Sequence, residues 1–145
     1  MPRTAAHEFD TAVVDRENHP VALVEVKAHP VERWATVLPG QLAKSAEGVA
    51  FFLTIDPNCI QLYRSGEGSL GEPIVRLDTR QVLQHYDPEL AGKRVFQPYL
   101  LTLVEAWLRD LAYHWKSEYP PGSDELGRTG LLEKLEGGTT QRFGD

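Results

Sequence analysis

"FDTAVVDRENHPVALVEVKA", residues 9–28, is the stretch whose reading decides the fold of this chain. Two runs rich in valine, 9–15 and 20–27, flank the polar stretch Arg16-Glu17-Asn18-His19, so the segment reads as a β-hairpin. Its second run is apolar except for Glu25 and Lys27. Charges are seldom taken out of water unless they are paired or bound to a metal. With the turn centred on Glu17-Asn18 and Asp15 opposite Pro20, Asp10 falls directly across from Glu25. Side chains alternate faces along a strand, so Asp10, Glu25 and Lys27 are expected on one face of a sheet. A slip of one residue would undo that alignment.

Two opposed carboxylates repel each other. A hard divalent cation such as Mg2+ turns that repulsion into a site, because it takes oxygen ligands. A lysine beside them can stabilise charge developing on a phosphate oxygen or orient an attacking water. The pattern therefore points to metal-assisted hydrolysis of a phosphodiester. A plainer reading has Lys27 as an exposed strand end, Glu25 as its partner or that of Arg33, and Asp10 as the start of the hairpin. Spacing alone leaves both open.

Working outward, 145 residues suffice for one domain with a genuine core. Forty-one per cent apolar and 25 per cent charged residues are the proportions of a soluble globular protein. The net charge of −6 argues against a protein that lives on sequence-independent attraction to phosphate. Residues 117–145 carry six acids and three bases, which accounts for half of that charge. The single cysteine, Cys59, excludes an internal disulfide and fits a reducing compartment. The opening "MPRTAAHEFD" lacks the apolar core of a signal peptide, and no apolar run approaches the ~20 residues needed to cross a bilayer. A cytoplasmic location without membrane contact is expected.

After the hairpin, "VERWATVL" and "GQLAKSAE" read as helices over 31–46, with a kink or break at Pro39-Gly40. "VAFFLTI" reads as a strand, "DPN" as a turn and "CIQLYR" as the returning hairpin partner. "SGEGSLGEP" is a loop and "IVRL" a short strand, with Asp78 capping a helix over "TRQVLQHY". Over 97–116, Leu100, Leu103, Val104, Trp107 and Leu111 recur at helical spacing, so this helix needs a sheet or another helix to cover its stripe. Its large aromatics read as packing residues rather than a ligand box. Beyond Ser117 a Pro/Gly-rich break and a short helical segment suggest an acidic tail, 117–145, that docks weakly or moves.

Residues 9–28 resemble the core of the PD-(D/E)XK nuclease superfamily, the restriction-endonuclease-like fold. They are most similar to the N-terminal nuclease domain of type I restriction enzyme motor subunits. In that pattern a strand opening Pro-Asp with aliphatics is followed by a turn and an apolar strand ending Glu-Val-Lys. Here Phe9 stands in the proline position, and the order of elements agrees to about residue 64.

The resemblance implies an α/β fold with a central mixed sheet flanked by helices, spanning 1–116. It implies Asp10 and Glu25 as metal ligands, Lys27 as the catalytic lysine, and Mg2+, replaceable by Mn2+, as cofactor. Some branches add a Gln-x-x-x-Tyr motif on the next helix. Gln41 matches its glutamine, whereas Ser45 stands at the tyrosine position. Members open with a helix ahead of the first strand, for which only eight residues remain here. The implied activity is endonucleolytic hydrolysis of nucleic acid, DNA above RNA, in a restriction or defence setting, with a homodimer or partner subunits to hold the substrate. The alternative is a nuclease-like fold kept as a binding or assembly module.

Other constellations are weaker. Histidines 7, 19, 29, 85 and 114 show no zinc spacing, and His114 reads as a helix-surface partner of Asp110. Ser45 and Cys59 have no evident base beside them. Lys27, Arg33 and Lys44 are candidate phosphate contacts.

Overall fold

The computed structural model describes residues 9–34, 49–64 and 72–142. Strands β1 (Thr11–Val14) and β2 (Pro20–Val26) form the expected antiparallel hairpin. Strand β3 (Phe51–Ile55) runs parallel to β2, and β4 (Cys59–Arg64) returns antiparallel to β3. Strand β5 (Val75–Asp78) continues the sheet, and β6 (Thr139–Arg142) closes its other edge against β1. The order is β5-β4-β3-β2-β1-β6, one mixed sheet of six strands. Joining parallel β2 and β3 needs a crossover. The helices expected over 31–46 fall in that connection and, from residue 35 onward, lie outside the described residues, as does Gln41.

The predicted hairpin register holds in the middle, where Thr11, Ala12 and Val13 face Val24, Leu23 and Ala22. It shifts between Val13 and Val14, so that Val14, not Asp15, stands opposite Pro20. Asp15 is instead the turn's organiser. Its Oδ1 accepts from the Glu17 and His19 N–H groups at 2.9 Å each, and its own N–H donates to the His19 carbonyl. Asn18 supplies the left-handed residue, at φ 69°.

One face of the sheet meets the helices. Val24, Val26, Phe51, Leu53, Ile55 and Leu62 pack there against helix α2 (Gln97–Tyr113) and the two short helices described below. Trp107 is fully buried, and its indole N–H donates to the Pro121 carbonyl at 2.8 Å. The opposite face carries a smaller cluster of Phe9, Ala12, Leu23, Trp34, Val49, Phe52 and Tyr63. Helix α1 (Thr79–Leu83) begins as expected, with Asp78 Oδ1 accepting from Gln81 N–H at 3.0 Å.

Helix α2 stops at Tyr113 because His114 turns left-handed at φ 55°, its N–H bonded to the Asp110 carbonyl. The expected side-chain pairing of His114 with Asp110 does not form; His114 Nδ1 meets the Ser117 carbonyl instead. Asp110, fully buried, accepts from the Tyr86 hydroxyl at 2.7 Å and from the Lys116 and Ser117 N–H groups at 2.9 Å each. Burial works to raise the Asp110 carboxyl, but these donors outweigh it and hold the group below its ordinary value of 3.8. A depressed carboxyl contributes stability that is whole above the unfolded value and is lost as pH falls through the folded one. The urea midpoint is therefore expected to drop as pH is lowered through about 4, with a shallower acid slope in Asp110→Asn. Equal slopes in the two proteins would remove Asp110 from the account.

The expected weakly docked tail is corrected as far as Arg142. Helices α3 (Ser123–Gly127) and α4 (Leu131–Leu135) bury Leu126, Leu131 and Leu135, and β6 pairs along β1. The break signals at 117–122 were real, yet the burial of Leu126 on one short helix and of Leu131 and Leu135 on the next outweighs them. Gly138 permits the approach: a Cβ there would lie 1.8 Å from the Val14 carbonyl oxygen. Arg142 then fixes β6 to α2 through Glu105 Oε1 at 2.7 Å. Among the described residues no helix is long and apolar enough to cross a membrane.

Candidate functional site

Strand β2 is buried along its whole length after Pro20, which forces Glu25 into the interior. Glu25 is 2% exposed. Its Oε2 lies 3.3 Å from Lys27 Nζ, and the Lys27 side chain keeps about a third of its surface in solvent. Two residues apart on one strand, the pair shares a face. It is the face of Leu23 and Phe52, away from the large core.

Lys27 sits where β2 ends, and hydrogen bonds on both sides hold the backbone there. Its N–H donates to the Ile55 carbonyl at 2.9 Å, extending the parallel ladder by one rung. Gln97, the first residue of α2, then brackets it. The carboxamide donates to the Val26 carbonyl at 2.5 Å and accepts from Ala28 N–H at 2.9 Å. Gln97 is thus a positioning residue for Lys27, and sequence reading missed it. Only the tertiary fold brings residue 97 to the end of β2.

Asp10 arrives by a route that simple alternation does not anticipate. Its N–H donates to the Val24 carbonyl at 3.1 Å, while Thr11 also faces Val24. Asp10 lies in a bend just ahead of β1, so its side chain is not bound to the alternation of the strand. Phe9 accordingly swings to the face of Ala12 and stacks on Phe52, with ring centroids 6.1 Å apart. The Asp10 carboxylate takes over the next rung, Oδ2 accepting from Val26 N–H at 2.7 Å. Asp10 therefore brackets Glu25 along β2, bonded to the residue on either side of it. The expected strand pairing of Asp10 with Glu25 is replaced by this side-chain rung, and the two acids remain level along the hairpin.

The registers add a feature that no local pattern reveals. Glu25 neighbours Thr54 on β3, Thr54 neighbours Gln61 on β4, and Gln61 neighbours Arg76 on β5. A polar row crosses the sheet on one rung between apolar rows. Thr54 is buried at 1% exposure, and Gln61 Oε1 accepts from the Tyr63 hydroxyl at 3.0 Å. The available signal was Thr54 inside "FFLTI" and Gln61 inside "CIQLYR".

Asp10 and Glu25 offer carboxylate oxygens at neighbouring positions of the hairpin, with the Lys27 ammonium 3.3 Å from Glu25. Such a set fits Mg2+ or Mn2+ better than a soft metal. The described residues contain one group of three ligand-type side chains within 4.8 Å, namely Asp15, Glu17 and His19. It lies on the exposed hairpin turn, where Asp15 is already engaged by two backbone N–H groups, so turn geometry accounts for it. Of the remaining candidates, His29 is exposed near the strand end, and Arg33 is exposed. Lys44, Ser45 and His7 lie outside the described residues. Comparisons of the chain with protein-family models, with curated proteins and with solved structures return no match.

Proposed function

We propose that the chain is a Mg2+-dependent nuclease of restriction-endonuclease-like type that hydrolyses phosphodiester bonds of DNA. The observation that carries this reading is the buried Glu25 paired with partly exposed Lys27 at the end of a central strand, with Asp10 bonded on both sides of it. Asp10 and Glu25 would hold the metal, which when bound supplies Lewis-acid polarisation of the phosphate and an activated water. Lys27, partly exposed, carries its ammonium beside Glu25, where it stabilises charge on a phosphate oxygen or orients the attacking water. Gln97 fixes the backbone that carries it. The assist assigned to Gln41 by family resemblance rests on the sequence alone. DNA in the cytoplasm, held with the help of a second protomer or partner subunits, is the setting this reading takes.

A second reading, a binding or assembly module on the same fold, is favoured by one observation. Both acids already have work in the protein: Asp10 Oδ2 serves the Val26 N–H, and Glu25 Oε2 serves Lys27. Calorimetric titration with Mn2+ separates the two. Asparagine at position 10 keeps an oxygen for the Val26 N–H but removes the charge. The nuclease reading expects saturable Mn2+ binding in the parent that is lost in Asp10→Asn, together with Mg2+-dependent nicking of DNA. A parent that neither takes up Mn2+ nor cleaves any nucleic acid leaves the module reading standing.

A further inference from the structure

Beside Glu25, one strand over, the fold buries a hydroxyl without giving it a partner. Thr54 is the neighbour of Glu25 in the parallel β2–β3 ladder, so the two side chains rise next to each other on one face of the sheet. Leu53 and Ile55, on either side of Thr54 in β3, belong to the large core on the other face. Thr54 is buried, and among the described residues its Oγ1 meets no hydrogen-bond partner. The Tyr63 hydroxyl comes near it but donates to Gln61 Oε1 at 3.0 Å.

A buried hydroxyl that makes no bond costs stability, and native interiors hold few of them. Valine has the same branched outline and no polar atom, and it suits a buried strand at least as well. Packing and strand preference therefore do not account for a hydroxyl at position 54. The Trp34 indole N–H and Thr11 Oγ1 are buried without partners as well. Neither is set beside an acid by the strand registers: Thr11 stands between Val24 and Arg142, and Trp34 lies outside the sheet. Thr54 alone of the three has a candidate metal ligand as its neighbour.

We propose that Thr54 is a positioning residue of the Asp10–Glu25 centre, its hydroxyl accepting a hydrogen bond from a water that the divalent cation carries. The proposal rests on the metal reading given above. Mg2+ held by one or two carboxylates keeps several waters, and in a buried site their protons need acceptors. Partners outside the ligands orient the metal's shell, and their loss usually lowers metal affinity by about 10–100-fold. The register places Thr54 for this task, one strand from Glu25, or about 4.8 Å at the usual spacing. The plainer alternative is that the Tyr63 hydroxyl turns to serve Thr54 and the pair is purely structural.

The test pairs calorimetric titration with Mn2+ and urea unfolding in EDTA, on the parent, Thr54→Val and Thr54→Ser, with Asp10→Asn as the control that loses the metal. Thr54→Val removes no hydrogen bond that the protein makes within itself, so its urea midpoint without metal is expected at or above the parent's. Its Mn2+ affinity is expected to fall by about tenfold or more. Thr54→Ser keeps the hydroxyl and is expected to bind Mn2+ as the parent does. A stable valine variant with the parent's Mn2+ affinity overturns the proposal and leaves the metal centre standing. A valine variant whose metal-free midpoint falls together with its affinity overturns it too, because the hydroxyl then serves the fold. The same holds if serine loses as much affinity as valine, since the hydroxyl is then not the cause. Affinity lost in valine and kept in serine, in a protein that cleaves no nucleic acid, would keep Thr54 and end the nuclease reading. A parent that takes up no Mn2+ ends both.

Discussion

On the proposed nuclease reading, Lys27→Met is expected to slow Mg2+-dependent cleavage of DNA by about 10²–10³-fold, the usual loss when one pre-placed group that stabilises transition-state charge is removed. Methionine keeps most of the apolar stem and deletes only the ammonium that stands 3.3 Å from Glu25. Because the Lys27 side chain is about one-third exposed, solvent replaces part of what Glu25 loses, and a modest fall in melting temperature is expected. Lys27→Arg retains the charge and reports on the pairing with Glu25 separately from the chemistry. The decisive readout is the single-turnover rate at saturating Mg2+, compared with the melting temperature of the same preparation. A folded Lys27→Met protein that cleaves at the parent rate would remove the lysine from the mechanism, and with it the main support for the enzyme reading.

The largest expected effect on stability is at Trp107, in the middle of α2. The indole is fully buried between α2 and the sheet, and its N–H satisfies the Pro121 carbonyl at the start of the C-terminal segment. Truncation to alanine removes the ring's packing, opens a cavity and leaves that carbonyl without its donor. Losses of about 3–5 kcal/mol are usual for such a change. For a domain whose whole stability is on the order of 5–15 kcal/mol, that is a large share. Trp107→Phe keeps most of the volume and loses the hydrogen bond, so its smaller cost isolates the polar part. Urea unfolding of the two variants makes the comparison. A Trp107→Ala protein with the parent's midpoint would mean that α2 is not the cover the sheet depends on.

Much of this was legible along the chain. Valine-rich runs around a polar turn gave the β1–β2 hairpin, and the middle of its register followed from counting. The turn residues Asp56-Pro57-Asn58 correctly placed β4 as the partner of β3, and Asp78 was recognisable as a helix cap. The reach of α2 was visible in its apolar spacing, and Trp107 is the packing residue that spacing implies. The bend at Asp10 was not legible. Alternation says nothing about where a strand will begin, and the signal emerges only as the Phe9 ring on Phe52. Gln97 and the polar row through Thr54 and Gln61 were equally hidden, because residues distant in sequence become neighbours only through the sheet order.

The C-terminal segment shows the same division. Its proline, glycine and acidic content describes a stretch with weak local preferences, and that much is accurate. Its fate was settled by the edge of β1, whose backbone groups need partners and which a strand preceded by a glycine at position 138 can approach closely. What the residues determine by themselves is local: which runs extend, which coil, and which charges lie in a strand that will be buried. Which charges meet is decided by tertiary structure, because register, bend and strand order depend on contacts between segments that no local preference encodes.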